Sequence, residues 1–368
     1  MSLGLYLHLP FCRVHCTYCP FAVSTDIRLQ DRYATAMIRE MESSAMQGVA
    51  VNSIFLGGGT PSRTSRENLS RIFGAVRAVF AILPDAEVSI EANPEDITEE
   101  SLDFWSSLGV NRVSIGVQSF HDNELRPLGR VHGGDGARRA VALAVASGVR
   151  TSLDLILGLP GQTAESFAIT LETAIASGVG HLSLYLLDLE EGTALHRHVG
   201  SGRTKLPEDD LTASLYLSAV DRLREAGLAQ YEISNFARDE ETCRHNLHYW
   251  RREEYLGFGM AAHSFVGARR FANSRDIRKY IETIEAGTHG PDFQEELGEA
   301  EVKRERIFLG LRQRVGLNYA ELVSLCGEEG RQWVTRGLGE GWLRRAGDRI
   351  GFTPSGFLLS NDYISQLF

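Results

Sequence analysis

Leu3-Gly-Leu-Tyr-Leu-His-Leu-Pro-Phe-Cys12-Arg-Val-His-Cys16-Thr-Tyr-Cys19 is a short apolar run that ends in three cysteines within eight residues. Leu3–His8 has the length and composition of a buried strand, so the cysteines sit in the loop at its C-terminal end. Six more runs of the same kind follow: Ser53–Leu56, Glu87–Glu91, Arg112–Val117, Thr151–Leu157, His181–Leu187 and Gln230–Ser234. Helix-like stretches such as Asp31–Met46, Ser65–Phe80 and Gly136–Ser147 lie between them.

Alternating strand and helix implies an α/β fold of parallel strands with crossover helices. Near-continuous apolar strands imply burial on both faces. Six or seven such units suit a closed eight-fold barrel, an open partial barrel or a doubly wound sheet. In all three, ligands bind at the C-terminal strand ends. The polar residues obey that rule: strand two runs into Gly57-Gly58-Gly59, strand three into Glu91-Ala92-Asn93-Pro94, strand four into Gln118, and strand five carries Asp154. A later helix starts after Pro207 with Glu208, Asp209 and Asp210 near its positive end, expects Leu211, Leu215, Val220 and Leu223 on its buried stripe, and stops at Gly227.

The pattern changes after Asn235. Cys243–Trp250 is dense in His and aromatic residues, and Ala286–Glu299 reads as a polar linker. Glu305–Arg312, Tyr319–Cys326 and Arg331–Leu338 follow as helices, then a hairpin signal at Gly347-Asp348 and a helix from Pro354, an order that suits a winged-helix-like domain. Residues 300–368 hold ten Lys/Arg against eight Asp/Glu, a weak basic footprint for nucleic acid. The whole chain, at net charge −10, argues the same way against nucleic acid and anionic membrane. The N-terminus has no basic n-region and no apolar run approaches the ~18 residues of a membrane span, so the expected location is the cytoplasm. There, five cysteines of which three cluster suggest metal chemistry rather than disulfides.

Three thiolates so close can face one soft metal centre. A cubane cluster has four irons, so Cys12, Cys16 and Cys19 would leave one iron open to a cofactor. A zinc loop completed by His8 or His15 is the competing reading. Tyr18, beside the last cysteine, offers a ring for stacking on a base, or ordinary loop packing.

Cys-x3-Cys-x2-Cys with an aromatic before the last cysteine resembles the signature of the radical S-adenosylmethionine (SAM) proteins. Tyr6–Cys12, Gly57–Ser62, Glu91–Pro94, Gly116–Phe120 and Gly158–Thr163 narrow the resemblance to the HemN/HemW group over nearly the whole chain. Within it, the coproporphyrinogen dehydrogenases carry a further cysteine two residues after the third, where this chain has Phe21, and a longer N-terminal extension. His245-Asn-Leu-His248-Tyr249-Trp250 looks like the HNxxYW motif of the HemW haem chaperones. Met260 and Ala261 depart from the Gly or Pro more usual in that group's glycine-rich segment.

The resemblance implies a partial (β/α)6-type barrel over residues 1–235, an extension with the HNxxYW segment over 236–295, and a C-terminal helical, winged-helix-like domain over 296–368. It implies a [4Fe–4S] cluster on Cys12, Cys16 and Cys19, and SAM contacts from Tyr6, Gly58, Gly59, Thr60, Glu91, Gln118, Arg130 and Asp154. A glycine backbone lets a ligand approach closely, and an Arg fork suits the methionine carboxylate. His245 is the candidate haem ligand, with His248, His263 and Cys243 as alternatives. The implied partners are haem, a haem-acceptor protein, an electron donor such as a flavodoxin or ferredoxin, and membrane haemoproteins touched peripherally. The implied function is a haem chaperone, with a radical oxidative decarboxylase of coproporphyrinogen III as the alternative.

Overall fold

The computed structural model describes residues 3–368. Strands β1 (Leu3–Leu9), β2 (Ala50–Gly58), β3 (Ala81–Ala92), β4 (Arg112–Gln118) and β5 (Arg150–Leu157) pair side by side in chain order, all parallel. Helices Gln30–Glu42, Arg66–Val79, Glu99–Ser107, Gly134–Ala146 and Ala164–Ala176 follow them in turn, and β6 (His181–Leu186) opens the sixth repeat. This is the α/β architecture of a partial barrel. Helix starts are written locally: Ser65 accepts from the Asn68 amide, and Thr98 and Thr163 form capping boxes with Ser101 and Ser166.

The seventh run departs from the sequence reading. Gln230–Ser234 is not a parallel strand. It is mostly a turn between two short strands, β7 (Ala229–Gln230) and β8 (Asn235–Ala237), and β8 runs antiparallel to β6. Polar Gln230 and Glu232 interrupt the apolar pattern that a central parallel strand needs. The supposed linker also differs. After β9 (Tyr255–Phe258), which pairs parallel to β1, come β10 (His263–Val266), β11 (Arg269–Ala272) and β12 (Phe293–Glu296), an antiparallel run. β12 lies inside the polar stretch, held by cross-strand pairs of opposite charge such as Arg270–Glu295 at 3.1 Å. The helix Asp209–Glu225 buries Tyr216, Ala219, Val220 and Leu223, while Leu211 in its first turn is exposed.

The chain divides into two compact units. The first runs from the N-terminal strand to Val179 and adds Tyr185–Pro207 and Glu254–Glu296. The second comprises Gly180–Leu184, Glu208–Glu253 and Leu297–Phe368. Its C-terminal part orders as helix Glu299–Leu311, β13 (Leu317–Asn318), helix Tyr319–Gly339 kinked at Gly327, then the hairpin β14 (Leu343–Ala346) and β15 (Arg349–Phe352), the order of a winged helix. Gly347 turns the hairpin at φ 61°, and Trp333 stacks on Tyr363 at 4.5 Å in the core of Ile307, Leu311, Leu322, Ile350 and Phe352. Cys326 packs against the edge of that core. Among the described residues, no helix is long and apolar enough to cross a membrane.

Candidate cofactor site

The C-terminal ends of β1–β5 open on one cavity of about 460 Å³ within the first unit. Cys12, Cys16, Cys19, Gly58, Gly59, Thr60, Glu91, Gln118, Arg130 and Asp154 all line it. Residues spread over more than 140 positions meet there because every parallel strand ends on the same side. Tyr6 stands behind the wall. Its hydroxyl meets His8 Nδ1 at 3.1 Å, and His8 Nε2 meets the Ala22 carbonyl at 3.0 Å. A carbonyl only accepts, so Nε2 carries the proton and Nδ1 accepts from Tyr6. Burial pushes His8 down to about 4, which keeps this ring neutral and tethers the far end of the cysteine loop to β1.

The glycines after β2 are required by space. A Cβ on Gly59 would stand 2.4 Å from the backbone C and O of Pro10, and Gly58 has φ +114° with the His8 ring 2.6 Å from the would-be Cβ. The β2 end therefore lies directly against the start of the cysteine loop, and Thr60 Oγ1 donates to Cys12 Sγ at 3.4 Å. Opposite, Arg130 Nη2 donates to Asn93 Oδ1 and to the Gly116 carbonyl, both at 2.7 Å, and Nη1 reaches Cys16 Sγ at 3.7 Å. Its Nε is buried without a hydrogen-bond partner, a donor left for a ligand. Desolvation works against the Arg130 charge, but Tyr18 and Cys16 outweigh it and the guanidinium holds its proton more tightly than usual.

Two carboxyl groups share the floor. Glu91 accepts from the Gly58 amide at 3.3 Å, and Asp154 accepts from Ser114 Oγ at 3.2 Å. Burial and then Asp154 push the Glu91 carboxyl up to about 8, against the pull of the Gly58 amide and Arg112. Gln118 is buried with φ +66°, a left-handed conformation that a non-glycine residue adopts only under constraint, and the β4–β5 register shifts beside it.

Cys12, Cys16 and Cys19 bring three soft sulfur donors to one cavity, a donor set that suits an iron–sulfur cluster. Burial raises the Cys12 thiol and pushes Cys19 up to about 11, so these sulfurs need a metal to hold them as thiolates. Phe21 also lines the cavity and is 63% exposed. Tyr18 lines it too, while packing on Leu128, Ile156, Leu159 and Leu195.

The other candidates stand elsewhere. His245, His248 and Cys243 belong to the second unit and are buried. His245 Nε2 meets Tyr249 Oη at 2.8 Å, and burial, then His248, pushes its ring down to about 3. His248 Nδ1 lies 3.1 Å from Glu253, and Cys243 forms the N-cap of the helix Arg244–Trp250. His263 is exposed at the start of β10. Ala261 has φ +56°, which explains why its glycine-rich segment favours Gly. Two further residues contribute: Asn93, which the sequence places at a strand end without a role, orients Arg130, and Glu95 lines the cavity from the turn that follows.

A parallel α/β sheet whose strand ends present three closely spaced cysteines and a glycine cradle defines a radical SAM protein, and the Radical SAM superfamily model matches residues 6–174. The chain is 37% identical over 371 residues to the heme chaperone HemW of Mycobacterium tuberculosis, covering 99% of this chain and 94% of that protein. It is 33% identical to the heme chaperone HemW of Escherichia coli K12, covering 100% and 98%. It belongs to the HemW family of the radical SAM superfamily. Its resident cofactors are accordingly a [4Fe–4S] cluster and SAM. The solved structure of E. coli coproporphyrinogen III oxidase HemN, a radical SAM enzyme, covers 100% of this chain and 90% of its own at TM-score 0.86 and 24% identity, a likeness of fold.

Proposed function

We propose that this protein is a haem chaperone that binds haem and passes it to an acceptor protein, with a radical SAM cofactor site retained in its barrel. The observation that carries the reading is end-to-end similarity to proteins of that function, with Phe21 where the dehydrogenases have a further cysteine.

Cys12, Cys16 and Cys19 would hold the cluster. Gly58, Gly59 and Thr60 would lie along the methionine moiety, the unpartnered Nε and fork of Arg130 would face its carboxylate, and Glu91, Gln118 and Asp154 would take the remaining polar groups. Tyr6 acts from behind, through His8. When bound, the cluster and SAM supply one-electron chemistry, and the chain's part is to place them and shield them from water.

His245 is the proposed haem ligand. Its neutral ring suits iron, but Nε2 is engaged by Tyr249, so ligation requires the segment Arg244–Trp250 to turn and give up that bond. Exposed His263 is the alternative that needs no such movement. An electron donor such as a flavodoxin or ferredoxin, peripheral contact with membrane haemoproteins, and a cytoplasmic location complete the proposal.

The test is anaerobic purification, iron–sulfide reconstitution and haem titration by absorbance, for wild type and His245→Ala. Stoichiometric binding without coproporphyrinogen turnover supports the chaperone, and its loss in the variant assigns the ligand. Decarboxylated product from the wild type would overturn the reading.

A further inference from the structure

Outside the cavity, one fully buried carboxylate ties two of its walls together. Glu124 is 0% exposed. Its Oε2 accepts from Ser119 Oγ at 2.6 Å and from Gln162 Nε2 at 3.3 Å, and its Oε1 accepts from Ser166 Oγ at 2.5 Å. Three donors from three different points of the chain converge on this one carboxyl group, so it crosslinks segments that are distant in sequence.

Two of the three donors lead to the cofactor cavity. Ser119 follows Gln118, the cavity residue held at φ +66° at the end of β4. Gln162 folds back on the end of β5: its Nε2 also donates to the carbonyl of Ile156, a cavity residue, at 3.3 Å, and its Oε1 accepts from the Gly158 amide at 2.7 Å and the Leu159 amide at 3.3 Å. Ser166 closes the capping box of the next helix. Glu124 therefore joins the C-terminal ends of two adjacent strands, and it supplies a constraint under which Gln118 can hold a strained conformation.

We propose that Glu124 is a positioning residue for the cofactor: it sets Gln118 and Ile156 against the bound SAM by clamping the ends of β4 and β5 to one carboxylate. This rests on the reading of the cavity as the SAM site. A residue acting so far from contact leaves cluster assembly alone and changes how well SAM fits. Losing the clamp should weaken SAM binding about tenfold, equivalent to ~1.4 kcal/mol.

The test compares wild type, Glu124→Ala and Glu124→Gln after reconstitution. SAM is titrated against the electron paramagnetic resonance spectrum of the reduced cluster, iron content is measured, and hydrogen exchange is followed in cofactor-free protein. Gln can keep its oxygen on Ser119 and Gln162 but turns its amide towards Ser166, whose hydroxyl must stop donating and rotate to accept, so Glu124→Gln should fall between the others. The expected result is unchanged iron content, a raised SAM dissociation constant in the order wild type, Gln, Ala, and faster exchange of segments 116–121 and 156–162 together. Variants with lowered thermal stability but unchanged SAM affinity would overturn the proposal and leave Glu124 a packing residue. Failure of the wild type itself to bind SAM would overturn the site reading instead. If Glu124→Ala does not fold, Glu124→Gln alone decides.

Discussion

Glu91 is half-buried at the end of β3, and its carboxyl is pushed from 4.5 to about 8, first by desolvation and then by Asp154. The sign of the consequence follows from proton counting. Between about pH 4.5 and 8 the folded protein keeps a proton that the unfolded chain has released, so stability falls as pH rises through that window. The slope is ~1.4 kcal/mol per pH unit, and the whole window amounts to about 5 kcal/mol at most. Glu91→Gln keeps the shape, can still accept from the Gly58 amide, and does not titrate. In cofactor-free protein the variant should match the wild type near pH 5 and gain on it steadily to pH 8. Calorimetric midpoints at pH 5, 6, 7 and 8 measure this, with each kcal/mol worth ~2–4 °C for domains of this size. A difference that does not change with pH, or a wild type that gains on the variant at pH 8, would refute the assignment of Glu91 as a protonated acid. A cationic ligand in the cavity should reverse the preference and drive the proton off, so SAM binding at pH 7 should release protons in the wild type and fewer in Glu91→Gln, measured by titration calorimetry in buffers of different ionisation heat.

Gly59→Ala forces a Cβ to within 2.4 Å of the Pro10 backbone and should cost ~1–3 kcal/mol and lower iron retention after reconstitution, whereas Gly74→Ala, in open space on the helix Arg66–Val79, should stabilise by ~0.5–1 kcal/mol; thermal midpoints and iron content separate the two. Arg130→Lys keeps a charge but cannot reach Asn93, the Gly116 carbonyl and a ligand at once, so SAM affinity should drop about tenfold or more with cluster content retained, read from the same titration of the cluster spectrum.

Much of the cavity lining was legible because it is written in short-range patterns. The spacing of Cys12, Cys16 and Cys19 is a local fact, and so is the placement of Gly57–Gly59, Glu91, Gln118 and Asp154 at the ends of apolar runs. Parallel β/α repeats convert strand-end position into common location, so a one-dimensional rule located a three-dimensional cavity. Periodicity by itself did not choose among barrel, partial barrel and doubly wound sheet, because all three share the same local pattern.

Tertiary structure decided the rest wherever the outcome depends on partners distant in sequence. Gln230–Ser234 has strand-like residues, yet β8 pairs antiparallel with β6 and leaves Glu232 buried in the turn. Phe293–Glu296 is polar, yet it becomes a strand because Arg269 and Arg270 lie opposite its acids. Nothing local marks Glu124, whose three donors come from Ser119, Gln162 and Ser166, or tells that His245 is buried against Tyr249 rather than open to a haem. The sequence alone determined which residues would gather at the strand-end cavity, since cysteine spacing and strand ends are properties of neighbouring residues. Burial, side-chain pairing and the strain at Gln118 were settled only on folding, since each is an energy between segments that the chain brings together last.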